Sequence, residues 1–204
     1  HVNPTDGTGR IGTVGLPLPD TDCKIVDLEE PDRELGIGEP GELCIRGPQV
    51  MLGYWQRPDE TALMIRDGWL HTGDVATMDA DGFFRLVDRV KEMVIVSGFN
   101  VYPTEVEQVL LRHPAVLKCA VIGVPDERTG EAVKAFVVPR EGMQVTADEL
   151  LAWSRDPEQG LTGYRAPKSV EFRDDLPVSV IGKTLRRVLV EEERAKAAAS
   201  APQA

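Results

Sequence analysis

One segment, residues 82–100 (GFFRLVDRVKEMVIVSGFN), constrains the fold of this chain more than any other. It contains two apolar runs, residues 83–87 and 93–96, and both have the composition of β-strands. Between them lie residues 88–92, four of which are charged. Because burying such charges is costly, this cluster must lie at a surface, at a ligand or at a joint between two bodies. When this segment is considered alone, two interpretations are equally good: a charged turn of a β-hairpin, or a functional joint between two bodies.

Composition excludes several classes of protein. The chain has 204 residues, of which 42% are hydrophobic and 28% charged, as expected for one large or two small globular domains. A net charge of −11 argues against nucleic-acid binding but leaves room for a local basic site. Cys23, Cys44 and Cys119 are far apart and the three histidines are scattered, which favours reduced thiols in a cytoplasmic protein and predicts no metal site. No apolar run has the length of a membrane span.

The part of the chain before residue 92 is predicted to be mostly antiparallel β, with no obvious room for a core of its own. Strands are predicted over residues 23–26, 41–46, 75–78 and 83–87. A turn over residues 79–82 joins the last two into a hairpin. Asp59 is expected to cap a short helix over residues 60–65.

The pattern changes after Lys91 to alternating strands and helices. Strands are predicted over residues 93–96, 117–124, 133–138 and 168–173, and helices over residues 103–112, from Thr146, and over 185–196. Thr146 and Glu149 form a capping-box pattern at the start of the middle helix. This part is therefore expected to be a compact α+β unit with helices on one face of its sheet.

Three polar turns could carry chemistry. Asp74 follows a glycine turn and could accept paired hydrogen bonds from ribose hydroxyls, or it could simply cap that turn. Arg89 could donate to the same sugar, or pair with a neighbouring carboxylate. Lys183 follows Gly182 like the lysine of a phosphate loop, but Pro177 stands where that motif requires glycine. Lys183 is then either a mobile cation for a neighbouring site or a solvated surface lysine.

Four motifs, in this order and spacing, resemble the adenylate-forming superfamily of acyl-CoA synthetases, adenylation domains and luciferases. They are GELCIRGPQVMLGYW, DGWLHTGD, GFFRLVDRVKEMVIVSGFNVYPTEVE and LPVSVIGKTLRR. The resemblance extends from about Gly12 to Leu189. The stretches GTVGLPLPDTDCKIVD, LTGYRAPKSVEF and DDLPVSVIGKTLRR are most similar to bacterial long-chain fatty acid–CoA ligases.

The resemblance implies a two-step reaction. ATP and a carboxylic acid give an acyl-adenylate and pyrophosphate, and the acyl group then passes to coenzyme A. Asp74 matches the aspartate that holds the ribose hydroxyls, and Arg89 matches an arginine that also contacts the ribose. Leu86 falls where an apolar residue lines the nucleotide, and Lys183 matches the lysine that contacts the reacting carboxylate and the α-phosphate.

The resemblance also implies a division of the chain. Residues 1–88 would be the C-terminal end of the large AMP-binding domain, 89–91 the hinge, 92–195 a C-terminal α+β lid domain and 196–204 a frayed tail. Lys91 falls on the hinge. The loop that would line the pantetheine channel in the second step consists of Ser97, Gly98, Phe99 and Asn100.

Two motifs of the superfamily are absent from the sequence: a phosphate loop of the STGTTGxPKG kind and the Tyr-Gly-x-Thr-Glu segment. Both would precede His1, as would the ligands of Mg²⁺ and most of the acyl pocket. This chain by itself is therefore expected not to adenylate fatty acids. The expected partners of the intact enzyme are fatty acid, ATP and CoA, in the cytoplasm. Peripheral membrane association and oligomeric state are left open.

Two alternatives remain at this point. The first is an adenylation domain that loads an amino or aryl acid onto a carrier protein. The second is a non-catalytic lid that acts only by docking to a partner.

Overall fold

The computed structural model describes residues 1–161 and 163–200, which form two compact units. The first unit is His1–Lys91, and the second begins at Glu92. The mixed α+β class predicted from the sequence is confirmed, since each unit combines a five-stranded sheet with helical structure. Among the described residues, no helix combines the length and the apolar character that crossing a bilayer requires.

The first unit is built on an antiparallel sheet around one long central strand. Its strands are β1 (Asp22–Val26), β2 (Gly41–Arg46), β3 (Ile65–Arg66), β4 (Trp69–Met78) and β5 (Phe84–Arg89). β4 pairs with β2, β3 and β5, and β1 pairs with β2. The charged residues Asp88 and Arg89, interpreted as lying after the strand, belong to β5 itself.

This sheet has a small core, where the sequence indicated none. Ile25, Leu43, Ala76 and Phe84 come from four different strands and are all buried in one cluster. Each strand contributes only one or two buried apolar side chains to this cluster. The core can therefore be recognised only when the pairing of the strands is known.

The short helix α1 runs over Pro58–Met64 and not over residues 60–65. The predicted cap at Asp59 is wrong: Arg57 is the N-cap residue and makes no side-chain cap hydrogen bond. Pro58 has the fixed φ that suits the first helical position, so the helix starts there and Asp59 lies in its first turn.

The second unit is a mixed sheet with three helices. Its elements are β6 (Val94–Val96), β7 (Phe99–Val101), α2 (Pro103–Leu111), β8 (Val116–Asp126), β9 (Gly130–Pro139), α3 (Ala147–Arg155), β10 (Ser169–Phe172) and α4 (Arg186–Ser200). The strand order is β10-β9-β6-β7, with β8 also paired to β9. Among the strand pairs of the described residues in this unit, β9–β10 is parallel and the others are antiparallel.

The expectation of helices on one face of this sheet is wrong, because both faces are covered. Val121 of β8 packs in a buried cluster with Val109 of α2 and Leu150 of α3. The next residue, Ile122, packs in a second cluster with Leu189 of α4. The reason was present in the sequence: residues 119–124 of β8 and 135–138 of β9 form unbroken apolar runs. Successive side chains of a strand point to opposite faces, so such runs need cover on both faces.

The ends of the last helices follow local chemistry. The capping box at α3 is confirmed, since the Glu149 amide donates to Thr146 Oγ1 and the Thr146 amide donates to Glu149 Oε2. α4 continues to Ser200, beyond the predicted end near residue 196, because alanine is the strongest helix former. Residues 201–204 of the predicted tail lie outside the described residues.

Candidate active site

Asp74 and Arg89 lie opposite each other on β4 and β5. Arg89 Nε donates to Asp74 Oδ1 over 3.0 Å, and the two side chains are 46% and 26% exposed. The other carboxylate oxygen of Asp74 has no hydrogen-bond partner among the described residues. The pair thus presents an open acceptor beside a guanidinium donor, an arrangement that can bind a diol.

A bulge in β4 includes Asp74. Cys44 lies opposite His71 and Glu42 lies opposite Val75, so a single residue of β2 faces three residues of β4. The middle one, Gly73, has a φ of +69°, in the left-handed region that glycine adopts without strain. The bulge therefore changes the direction of the backbone at Asp74, and with it the direction in which the Asp74 side chain projects.

Thr72 fixes one side of the bulge. Its hydroxyl donates to the carbonyl oxygen of Leu43 over 2.8 Å and accepts from the amide of Asp74 over 3.1 Å. This hydroxyl therefore connects β2 to the backbone of Asp74.

Glu42, Cys44 and His71 meet next to the bulge, although the cysteine and the histidine are 27 residues apart in the sequence. Glu42 Oε2 lies 2.8 Å from His71 Nδ1, and Cys44 Sγ lies 3.4 Å from the same nitrogen. Burial, and then the charge of Glu42, raise the pKa of the Cys44 thiol to about 12. The thiol is therefore protonated at neutral pH. The pairing of β2 with β4 brings these three residues together, and this pairing cannot be inferred from the sequence alone.

Leu86 lies on β5 opposite Ala76, close to the Asp74–Arg89 pair in the same two strands. Its side chain is 45% exposed, although it is apolar. Its role in lining a nucleotide stays a prediction.

The predicted loop from Ser97 to Asn100 is a tight hairpin instead. Ser97 and Gly98 form the turn, both with positive φ (53° and 83°), as in the two-residue turns that match strand twist. Phe99 and Asn100 already belong to β7. The sequence interpretation extended the loop too far because Ser-Gly is a turn signal but the residues after it carry no helix or strand periodicity.

Beside this turn lies a cavity of about 500 Å³ that the sequence did not indicate. Its lining includes three cationic residues, Arg128, Arg155 and Lys168. Lys168 forms an ion pair with Asp126, and its ammonium group holds the pKa of that carboxyl well below its usual range. Among the described residues, Arg155 donates one long hydrogen bond, of 3.4 Å, to the carbonyl oxygen of Pro167.

An aromatic pair adjoins the same cavity. Phe99 stacks on Tyr164 with ring centroids 4.8 Å apart, and Tyr164 lines the cavity wall. Ser97 of the hairpin and the three cations, which come from distant parts of the sequence, therefore line one pocket within the second unit.

Lys183 lies in a compact turn that precedes α4. The Gly182 amide donates to the Ser179 carbonyl, and the Ser179 amide donates to the Lys183 carbonyl, each over 2.8 Å. The Lys183 amide also donates to Ser179 Oγ over 3.1 Å. The turn is thus held by backbone groups, while the Lys183 side chain is exposed together with its neighbours Val180 and Ile181.

Arg186 anchors this turn to the rest of the second unit. Its guanidinium binds both carboxylate oxygens of Glu107 in α2, at 3.0 and 2.7 Å. It also donates to Thr104 Oγ1 over 3.2 Å and pairs with Glu92, the residue that follows Lys91. Such bidentate pairing both stabilises the contact between Arg186 and Glu107 and fixes its geometry.

Of the predicted site residues, the structure brings Asp74 and Arg89 into direct contact, with Leu86 in the same strand pair. Lys91 lies in a 3₁₀ turn, Val90–Glu92, and the division between the two units falls directly after it. The roles assigned to these residues stay predictions.

The sequence matches two protein-family profiles. The AMP-binding enzyme profile covers residues 1–55, and the profile of the AMP-binding enzyme C-terminal domain covers residues 105–183. The first match lies within the first structural unit, and the second match lies within the second unit. The chain belongs to the AMP-binding enzymes. The predicted family is therefore confirmed.

Relatives of this AMP-binding chain include ligases of known name. It is 55% identical over 195 residues to a long-chain-fatty-acid–CoA ligase of Escherichia coli O157:H7, covering 96% of this chain and 34% of the relative. It is 53% identical over 178 residues to a feruloyl-CoA synthase of Amycolatopsis sp, covering 87% of this chain and 35% of the relative. The chain thus spans about a third of the length of the curated relatives it matches.

The fold of this AMP-binding chain also matches solved structures. ATP-bound MatB from Rhodopseudomonas palustris superposes with a TM-score of 0.87 at 38% identity, covering 93% of this chain and 37% of that one.

Proposed function

We propose that the full-length protein containing this chain is an acid–thiol ligase that converts a long-chain fatty acid, ATP and CoA into acyl-CoA, AMP and pyrophosphate. One observation carries the proposal: the Asp74–Arg89 pair lies on adjacent strands of a chain that is 55% identical to a long-chain-fatty-acid–CoA ligase. In the first step a carboxylate oxygen of the fatty acid bonds to the α-phosphorus of ATP and pyrophosphate leaves, which gives the acyl-adenylate. In the second step the thiol of CoA takes the acyl group and AMP leaves.

Asp74, Arg89 and Leu86 bind the nucleotide. The open carboxylate oxygen of Asp74 accepts hydrogen bonds from the ribose hydroxyls, and Arg89 donates to the same sugar. The exposed side chain of Leu86 contributes apolar contact on the same strand as Arg89. These interactions orient ATP without taking part in bond making.

Lys183 acts on the adenylation step. Negative charge builds up around the α-phosphorus as the carboxylate oxygen attacks and pyrophosphate leaves, and a positioned ammonium group stabilises that charge. The backbone hydrogen bonds of its turn and the Arg186 anchor hold Lys183 while leaving its side chain free to reach substrate.

Lys91 is the pivot between the two steps. The second step needs a path for a thiol, so Lys183 has to leave the site and the Ser97 hairpin has to enter it. Hinges are a few residues at element ends that absorb a backbone rotation, and an exposed lysine in a short 3₁₀ turn loses little when it does so.

The basic cavity beside Ser97 binds phosphates of CoA. Its cationic lining suits a polyanion, and Gly98, Phe99 and Asn100 continue from the same hairpin toward the pantetheine chain. A charge-assisted hydrogen bond to phosphate from Arg155 would contribute about 1.5–3 kcal/mol.

Arg155→Ala is therefore expected to raise the KM for CoA by about tenfold or more, since 1.4 kcal/mol corresponds to a factor of ten. The KM values for ATP and fatty acid should not change. Steady-state kinetics of the full-length protein with each substrate varied in turn would test this. Arg112→Ala, which removes an exposed arginine of the same unit, is the matched control. An unchanged KM for CoA in the Arg155 variant would place the CoA phosphates elsewhere.

Mg²⁺ is expected as the partner of ATP, but no residue of this chain is assigned to it. Among the described residues, the only cluster of converging ligand atoms is Glu42, Cys44 and His71. Mg²⁺ prefers oxygen ligands and octahedral geometry, which a buried thiol and an imidazole do not offer.

The decisive experiment is ATP–pyrophosphate exchange by the full-length protein with palmitate, followed by assay of acyl-CoA. Exchange that depends on palmitate, with transfer of the acyl group to CoA, is the expected result. The relation to feruloyl-CoA synthase makes ferulate the appropriate competing acid. Exchange with ferulate alone would overturn the long-chain assignment, and transfer to a carrier protein but not to CoA would identify a carrier-loading enzyme.

A further inference from the structure

Glu42 is a largely buried carboxylate that binds β4 at two points next to Asp74. Its Oε1 accepts the backbone amide of Gly73 over 3.0 Å, and its Oε2 lies 2.8 Å from His71 Nδ1. The side chains of Glu42 and His71 are only 17% and 9% exposed. Both oxygens of this carboxylate therefore contact the strand segment that leads to Asp74.

The bulge makes this contact necessary. Because one residue of β2 faces three residues of β4, the ordinary ladder of backbone hydrogen bonds is interrupted there. The amide of Gly73 is one of the donors that the interruption releases, and Glu42 supplies its acceptor. Without Glu42, a partly buried amide next to Asp74 would be left without this bond.

We infer that Glu42 is a positioning residue for the nucleotide site. It holds the bulge in the conformation that presents the Asp74 carboxylate beside Arg89, and thereby preorganises the acceptor for ribose. The inference rests on the proposed role of Asp74. Glu42 does not itself touch the nucleotide; it acts through the backbone of Gly73.

The hydrogen bonds of the cluster favour this role over metal binding. Glu42, Cys44 and His71 bring three ligand atoms within 4.8 Å of one another. However, both Glu42 oxygens already take part in hydrogen bonds, and the raised pKa keeps the Cys44 thiol protonated. Glu42 Oε2 and His71 Nδ1 lie 2.8 Å apart, which is a hydrogen-bond distance.

The test compares Glu42→Ala with Glu42→Gln in the full-length protein, using ATP–pyrophosphate exchange. Glu42→Ala should raise the KM for ATP about tenfold while kcat changes less than about threefold, because loss of a charge-assisted hydrogen bond costs about 1.5 kcal/mol or more. Glu42→Gln should restore most of the affinity, because its amide oxygen can accept from Gly73. Its amide nitrogen can donate to His71 Nδ1 once the imidazole proton lies on Nε2. A merely structural role would lower activity without this split between KM and kcat.

Glu39→Ala is the matched control. Glu39 also accepts the backbone amide of a glycine, Gly36, over 2.8 Å in the same unit, but away from Asp74. Its removal should leave the KM for ATP within about twofold of the unaltered protein. Amide hydrogen exchange provides the second readout: Glu42→Ala should speed exchange at Gly73 and Asp74 about tenfold or more, and Glu39→Ala should not.

Asp74→Ala separates this inference from the proposed function. If Asp74→Ala raises the KM for ATP and Glu42→Ala does not, the positioning role is wrong and the nucleotide site stands. If Asp74→Ala leaves the KM unchanged, the nucleotide site and the positioning role are both wrong. If both variants raise the KM and exchange at Gly73 accelerates, both assignments are supported.

Discussion

Lys183→Ala in the full-length protein is expected to slow fatty-acid-dependent ATP–pyrophosphate exchange by about 10²–10³-fold, the usual effect of removing one donor that stabilises transition-state charge. Thioester formation from supplied acyl-adenylate and CoA should stay within about threefold of the unaltered rate. The physical reason is that the ammonium group of Lys183 interacts with charge that develops only in the first step.

The structure makes this variant a clean test. The turn that holds Lys183 depends on its backbone amide and carbonyl and on Ser179, none of which the substitution removes. Arg186 still anchors the turn to Glu107. Loss of activity would therefore report on chemistry and not on unfolding of the turn.

Lys118→Ala is the matched control, because Lys118 is an equally cationic residue of the second unit and pairs with the exposed Asp175. It should leave both half-reactions unchanged. If Lys183→Ala reduces both half-reactions equally, Lys183 does not act specifically in adenylation and its assignment has to be withdrawn.

Local sequence signals predicted most of the elements but not how they combine. The capping box at Thr146 and Glu149 was sufficient to start α3, because the reciprocal hydrogen bonds lie within four residues. Helices on both faces of the second sheet were missed, because the apolar runs of β8 and β9 were read as strands without asking what covers their second face.

The same distinction applies to the candidate site. Asp74 and Arg89 were identified from motifs, yet only the pairing of β4 with β5 places Arg89 Nε 3.0 Å from the Asp74 carboxylate. Glu42 was missed because its contact with Gly73 depends on a bulge that shifts the strand register. Register is set by tertiary packing and turn geometry, so no local pattern around Glu42 could have revealed it.

Lys91→Pro should separate the two half-reactions in the opposite direction. Proline fixes φ near −65°, within the range that a 3₁₀ turn such as Val90–Glu92 uses. A pivot has to change its φ and ψ angles, and proline prevents that change in φ. We therefore expect adenylation to stay within about threefold of normal and acyl-CoA formation to fall by at least about 10²-fold, as for a step whose conformational change is blocked.

Lys91→Ala distinguishes the backbone from the side chain. Alanine removes the same charge but leaves φ free, so both half-reactions should proceed nearly normally in this control. Single-turnover measurement of acyl-adenylate and of acyl-CoA in the same sample would test both variants. Because the division between the two units falls directly after Lys91, a normal rate of acyl-CoA formation in the Lys91→Pro variant would mean that the rotation is absorbed by neighbouring residues and not at Lys91.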